Sequence, residues 1–134
     1  MSARVLLMIA ALDGLLAVAF GAFGAHGLRK RFEALEDGVK RLEWWNTASH
    51  YQLAHAAAFL ALAWLASRGA QAPGASLVSV AGWSFAVGVL LFSGSLYVMA
   101  LSGIRVLGAV TPFGGVALLV GWASLFLAAW RGAP

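Results

Sequence analysis

The chain has 134 residues, 62% of them hydrophobic and only 10% charged, against about 25% charge in ordinary soluble domains; its mean hydropathy is +0.87. That balance excludes a water-soluble globule, and the absence of cysteine excludes a disulfide-stapled secreted scaffold and a thiolate metal site. An integral membrane protein remains, with enough chain for about four spans of roughly 20 residues each.

Val5 to Leu28 is apolar apart from Asp13 and His26, and about 24 residues rising about 1.5 Å each cross a bilayer. The stretch is longer than the apolar core of a signal peptide and further apolar segments follow, so it reads as span one of the mature protein. Arg29 to Glu43 is the one strongly polar interval, with five of the nine Lys/Arg residues and four of the five acids. Within it Phe32, Leu35, Val39 and Leu42 step by three, four and three, which puts them on one side of a short amphipathic helix lying along the membrane surface. A solvated loop is the alternative, because Gly38 weakens the middle of such a helix. Trp44 and Trp45 mark the headgroup level, and span two runs over 44–66. Gly69, Pro73 and Gly74 make a turn, span three covers 77–101, and a short connection carries Arg105. Thr111 ahead of Pro112 supplies a capping hydroxyl and a proline at the first helical position, opening span four over 112–130. The expected fold is all-α: one integral membrane domain over 1–134, a polytopic four-transmembrane-helix bundle with an amphipathic interfacial helix between spans one and two.

The Lys/Arg residues set the orientation. The side holding the first and third connections carries six (Arg29, Lys30, Arg31, Lys40, Arg41, Arg105), and the other carries three (Arg4, Arg68, Arg131). The positive-inside rule then places connection 29–43 in the cytoplasm and both termini outside. The net charge of +4 fits this anchoring against the lipid bilayer, and no basic face for nucleic acid exists away from the membrane-flanking positions.

Lipid tails are as apolar as leucine, so membrane helices associate through close contact of small residues. Span one carries Ala10, Gly14, Ala17, Gly21 and Gly24 at alternating steps of four and three; span two carries Thr47, His50, Ala54, Ala57 and Ala61. Span three follows with Ser84, Gly88, Leu91, Ser95, Val98 and Ser102, and span four with Gly114, Ala117, Gly121, Ser124 and Ala128. This period of about 3.5 is the seam of a left-handed bundle. Such seams leave no wide lumen, so any pore would run between protomers.

Ionisable groups within a span are costly and are candidates for function. Here they are Asp13, His26, His50 and His55. The histidines approach the charged-connection side, as do Asn46, Gln52, Ser93, Ser95, Tyr97, Arg105 and Thr111, so the polar residues gather toward one leaflet. Metal binding is disfavoured: His50 and His55 are five apart, and two ligands on one helix sit three or four apart. A haem held by His26 and His55 would place one ligand on each of two helices; no cofactor is expected. A proton relay through the histidines, with Asp13 as acceptor and His50 among its members, is open. So is the plainer role of fixing helix register by interhelical hydrogen bonds. Asp13 lies angularly close to Ala17, Gly21 and Gly24 and is expected to face protein. No catalytic pairing is evident: Phe92-Ser93-Gly94-Ser95 lacks a neighbouring base, and Gly21-Ala22-Phe23-Gly24 lacks the strand and lysine of a phosphate loop.

Gly21-Ala22-Phe23-Gly24-Ala25-His26-Gly27-Leu28, Thr47-Ala48 with Tyr51-Gln52 and His55-Ala56, Leu91-Phe92-Ser93-Gly94-Ser95-Leu96-Tyr97, and Thr111-Pro112-Phe113-Gly114-Gly115 with Gly121-Trp122 occur in this order. Together they resemble the small four-span inner-membrane proteins of the uncharacterised YgdD/YwdK-like family, over nearly the whole chain. The resemblance implies a four-helix protein of the bacterial inner membrane and no reaction. Its signature positions fall here on His26, Tyr51, His55, Ser93, Ser95, Tyr97, Thr111, Pro112 and Gly114; Asp13 and His50 lie outside them. The expected function is that of a non-enzymatic bundle whose polar cluster binds a lipid, a small amphipathic molecule or a membrane partner protein. A small homo-oligomeric ion or proton channel, or a solute transporter, is the alternative.

Overall fold

A computed structural model describes residues 1–132 and is helical almost throughout. Helix α1 (Ala3–Phe23) starts on Ser2, whose hydroxyl accepts from the Val5 N–H. It continues through a π-helical turn (Gly24–Leu28) into α2 (Arg29–Glu33). Helix α3 (Gly38–Ser67) follows after a tight turn, then α4 (Ala75–Ser102), a 3₁₀ turn (Arg105–Ala109) and α5 (Thr111–Gly132). The four long helices run in alternating directions: α1 packs on α3, α3 on α4, and α4 on α5.

Among the described residues three helical stretches are both long and apolar enough to cross a membrane, Ala3–Glu33, Ala75–Ser102 and Arg105–Arg131. Helix α3 has 30 residues and a more polar sequence, and it buries eleven residues where α1 buries three. Its length still fits a span. Lys40 lies over the Trp44 ring and Arg68 over the Trp64 ring, at 5.9 and 5.8 Å. Those two tryptophans are 20 residues apart in sequence, about 30 Å along a helix, which is the thickness of the hydrocarbon layer.

Two sequence expectations change shape. The amphipathic segment is no separate interfacial helix. Its first half is α2, continuous with span one, and its second half is the first turn of α3. The π-helical turn keeps Leu28 and Phe32 on the inner face with Gly24, where they join Trp45 and Ala100 in a buried cluster flanked by Leu42. Leu35 and Val39 stay exposed. The small-residue stripe of span two also turns elsewhere: Thr47, His50, Ala54, Ala57 and Ala61 all lie on the outer surface. Because α3 has a neighbour on each side, it presents Ala48, Ser49, Gln52, His55, Ala56, Phe59 and Leu62 inward instead.

The stripes of spans one and four face neighbouring helices, and that of span three does so as far as Ser95, its last members Val98 and Ser102 being exposed. Gly14 lies against Ala56 and Gly21 against Ser49, while a side chain at Gly24 would strike the Trp45 indole. Gly88, Gly114 and Gly121 receive Leu118, Phe92 and Phe85 across the α4–α5 contact. The Thr111 hydroxyl bonds to Ser95 rather than capping its own helix, and the N–H groups of Phe113 and Gly114 go to the Val110 carbonyl.

At the charged end Asp37 joins the two connections. Arg41 Nε bonds to Asp37 Oδ1 at 2.8 Å and Arg105 Nη2 lies 3.6 Å from Asp37 Oδ2. Arg41 also reaches the last carbonyls of α4, those of Ala100 and Leu101, at 3.5 Å. There Gly103, at φ +76°, ends the helix in a left-handed conformation, and a side chain on it would overlap the Arg41 guanidinium; glycine meets both demands without strain.

Two predictions follow from this packing. Gly114→Ala would push a methyl into the Phe92 backbone and is expected to cost about 1–3 kcal/mol, whereas at Gly94 a methyl meets nothing within 4 Å and Gly94→Ala should be neutral; unfolding in bicelles by steric trapping compares them. The Arg41 hydrogen bond, aided by the charges of Arg41 and Arg105, holds the Asp37 carboxyl below its ordinary range. A depressed native pKa means that the stabilisation is complete above the unfolded value of about 3.9 and disappears as pH falls through the native value. Wild type should therefore melt above Asp37→Asn at neutral pH, and the gap should close under strongly acidic conditions.

Candidate functional site

Gln52 lies at the middle of α3, 5% exposed, on the inward face that looks toward both α1 and α4. A side-chain amide there must donate and accept within the protein, since the bilayer interior offers no water. It does both: Gln52 Nε2 donates to Asp13 Oδ1 at 2.8 Å, and the Tyr97 hydroxyl donates to Gln52 Oε1 at 2.8 Å. Three helices are thereby joined through one side chain.

The second carboxylate oxygen, Asp13 Oδ2, is buried and has no hydrogen-bond partner. The Asp13 residue also borders a cavity of about 370 Å³ between α1 and α4, floored by Gln52 and Phe59 and bordered further by Ser93 and Tyr97. Helices α1 and α4 touch at its two ends and part between them. At one end Leu6 packs against Gly82. At the other, the Phe20 and Tyr97 rings meet edge-on at 5.0 Å, with Trp45 4.6 Å from Tyr97 and its indole N–H on the Phe20 carbonyl at 2.7 Å. The flank is open: Leu16 and Leu90 on its rim are exposed. The Ser93 hydroxyl is spent on the Ala48 carbonyl at 2.9 Å, so the polar groups around the cavity satisfy each other except for one acceptor oxygen.

His55 stands on the other side of α3. Its Nε2 receives the Trp122 indole N–H at 3.1 Å and its Nδ1 lies 2.6 Å from the Tyr51 carbonyl. An indole nitrogen only donates and a carbonyl only accepts. These two partners fit the tautomer that carries a hydrogen on Nδ1. Tyr51, Phe92, Pro112 and Trp122 border a second cavity here, about 400 Å³, between α3 and α5.

The candidates read from sequence thus separate instead of forming one cluster. Asp13, Ser93 and Tyr97 adjoin the α1–α4 cavity, Tyr51 and His55 the α3–α5 cavity, and Ser95 pairs with Thr111 at 2.8 Å where α4 meets α5. His26 and His50 are exposed on the outside and adjoin neither cavity; among the described residues no group of three or more His, Asp or Glu that could hold a metal occurs. Asp13 is tied to Tyr97 through Gln52. Gln52 and Trp122 are the contributors that site reasoning left out. Both occur within the quoted motifs, and an intramembrane acid in need of a donor was the signal for Gln52.

Comparison with known proteins agrees with this architecture. The family described as "Protein of unknown function (DUF423)" matches residues 20–115. The chain is similar to the UPF0382 membrane protein YwdK of Bacillus subtilis, 40% identical over 94% of this chain and 96% of the relative. It is similar also to the UPF0382 inner membrane protein YgdD of Escherichia coli K12, 41% identical over 98% of this chain and 93% of the relative. No solved structure matches.

Removing Gln52 orphans groups on two other helices, whereas removing the Tyr97 hydroxyl orphans only one amide oxygen. Interhelical hydrogen bonds in membranes are worth about 0.6 kcal/mol on average and up to about 1.7. Gln52→Leu is expected to destabilise by about 1–3 kcal/mol and Tyr97→Phe by about 1 or less, read as unfolding free energies in bicelles.

Proposed function

The chain belongs to the DUF423 family of UPF0382 membrane proteins, and from that premise we propose that it is a non-enzymatic binding or accessory protein. Its site is the α1–α4 cavity, and its ligand is a small amphipathic molecule entering sideways from the bilayer. One observation carries the reading: the intramembrane Asp13, one carboxyl oxygen of which is buried without a partner, borders an apolar space of about 370 Å³. That volume lies within the range of about 300–1,000 Å³ in which proteins hold small ligands, as does the pairing of apolar walls with a few placed polar groups. Everything else of polar character nearby is internally paired. The six-to-three division of Lys/Arg supports placing connection 29–43 in the cytoplasm, which orients the aromatic end of the cavity toward that side.

The alternative of an oligomeric proton or ion path draws on the outward stripe of α3, whose small residues would let a second copy approach closely. It has less support. A carboxamide stands between Asp13 and Tyr97, and His55 is bound at both nitrogens.

Native mass spectrometry of protein released from nanodiscs tests the binding reading. Wild type should retain a single small amphipathic molecule, and Ala86→Trp, which fills the cavity from its α4 wall, should lose it. Equal retention by the two proteins, or no adduct on wild type, would sink the proposal.

A further inference from the structure

We propose that the occupant of the α1–α4 cavity is a long-chain primary or secondary amine, its nitrogen on the Asp13 carboxyl and its tail against Leu16, Val89 and Leu90. This rests on the binding reading above and specifies the chemistry of the ligand. A carboxyl group at this depth needs a proton on it or a cation beside it. Among the described residues no Lys or Arg lines the cavity. The other titratable groups that the neighbouring helices bring near are already committed, the Tyr97 hydroxyl to Gln52 and His55 to Trp122 and Tyr51. Gln52 likewise has its N–H on Asp13 Oδ1. What the site lacks is therefore a donor that also carries positive charge.

An amine meets both needs without bringing net charge into the membrane. As the free base it partitions from the bilayer through the open flank beside Leu16 and Leu90. Its lone pair then takes the proton of the Asp13 carboxyl; the O–H bond breaks, an N–H bond forms, and an ammonium–carboxylate pair remains with zero net charge. The broad χ2 torsion of aspartate lets either oxygen turn toward the cavity. An alcohol would make only a neutral hydrogen bond. A quaternary ammonium has neither an N–H nor a lone pair, and a carboxylic acid adds a second group of the same sign. The rings of Tyr97, Phe20 and Trp45 close the end of the cavity toward the charged connections, so the tail extends along α4 toward Leu90 and Val89.

The test uses full-length protein in phosphatidylcholine nanodiscs and three photoreactive probes, an alkyl-diazirine decylamine, the matching decanol and the matching decyltrimethylammonium. Cross-linked peptides are mapped by mass spectrometry. In wild type the amine should label the α1 and α4 peptides bearing Leu16 and Leu90 about tenfold more than either other probe, the margin separating charge-assisted from neutral hydrogen bonds. In Asp13→Asn its labelling should fall to the level of the alcohol, with alcohol labelling unchanged. Equal labelling by the three probes in wild type, or an amine preference that survives in Asp13→Asn, overturns the amine assignment while leaving the cavity as a binding site. Labelling that is absent from these peptides, or undiminished in Ala86→Trp, overturns the binding reading itself. The wild-type comparison of amine with quaternary ammonium needs no variant, so a poorly folding Asp13→Asn does not shelter the proposal.

Discussion

Gln52 holds the structure together at the point where α1, α3 and α4 converge. In water a glutamine side chain can leave its partners and lose little; within a bilayer each hydrogen bond it abandons has no replacement. By donating to Asp13 and accepting from Tyr97 it fixes the rotation of three helices about their axes at once. The same demand for partners governs the inward faces of α3, the least apolar of the long helices. Ser49, Gln52 and His55 on its inward faces all find acceptors or donors inside the protein, and its outward face carries mainly alanine, leucine and residues near the ends.

Two kinds of helix contact result. Between α4 and α5, glycines on one helix admit Leu118, Phe92 or Phe85 from the other, so the backbones approach closely and leave little space at the seam. Between α1 and α4 contact is made at the ends, by Leu6 on Gly82 and by Phe20 on Tyr97, with Gln52 reaching up from below. A bundle packed uniformly by small residues would have closed this gap. Its persistence is a consequence of placing a polar bridge, with fixed reach, where a close backbone contact would otherwise lie.

The four spans and their turns were legible because hydropathy, Gly69, Pro73, Gly74 and Pro112 report on one stretch of chain at a time. The seams of spans one and four, and that of span three as far as Ser95, were legible for a related reason, since in each the small residues mark the face turned to a neighbouring helix. Helix α3 defeated that reasoning: it turns Ala48, Gln52, His55, Phe59 and Leu62 inward, and the stripe of alanines at 54, 57 and 61 marks the face left over. The rotational phase between helices is not contained in any single periodicity. That is why His26, His50 and His55, close in depth, end on different surfaces, and why the bond from Gln52 to Asp13 was invisible although both residues were noticed. The π-helical turn at Gly24–Leu28 adds a local change of phase that carries Leu28 and Phe32 inward and leaves Leu35 outside.

The charged end has a consequence for how the protein enters a membrane. The chain consists of two helical hairpins, α1–α3 and α4–α5, joined by the connection through Gly69, Pro73 and Gly74 at one end. At the other end their ionic link is made by Asp37, Arg41 and Arg105 and by the grip of Arg41 on the end of α4. A second hairpin inserted upside down would strand Arg105 across the bilayer from Asp37 and leave Arg41 without the carbonyls it holds. The ion cluster therefore forms only when both hairpins share one topology, which makes it a checkpoint of assembly.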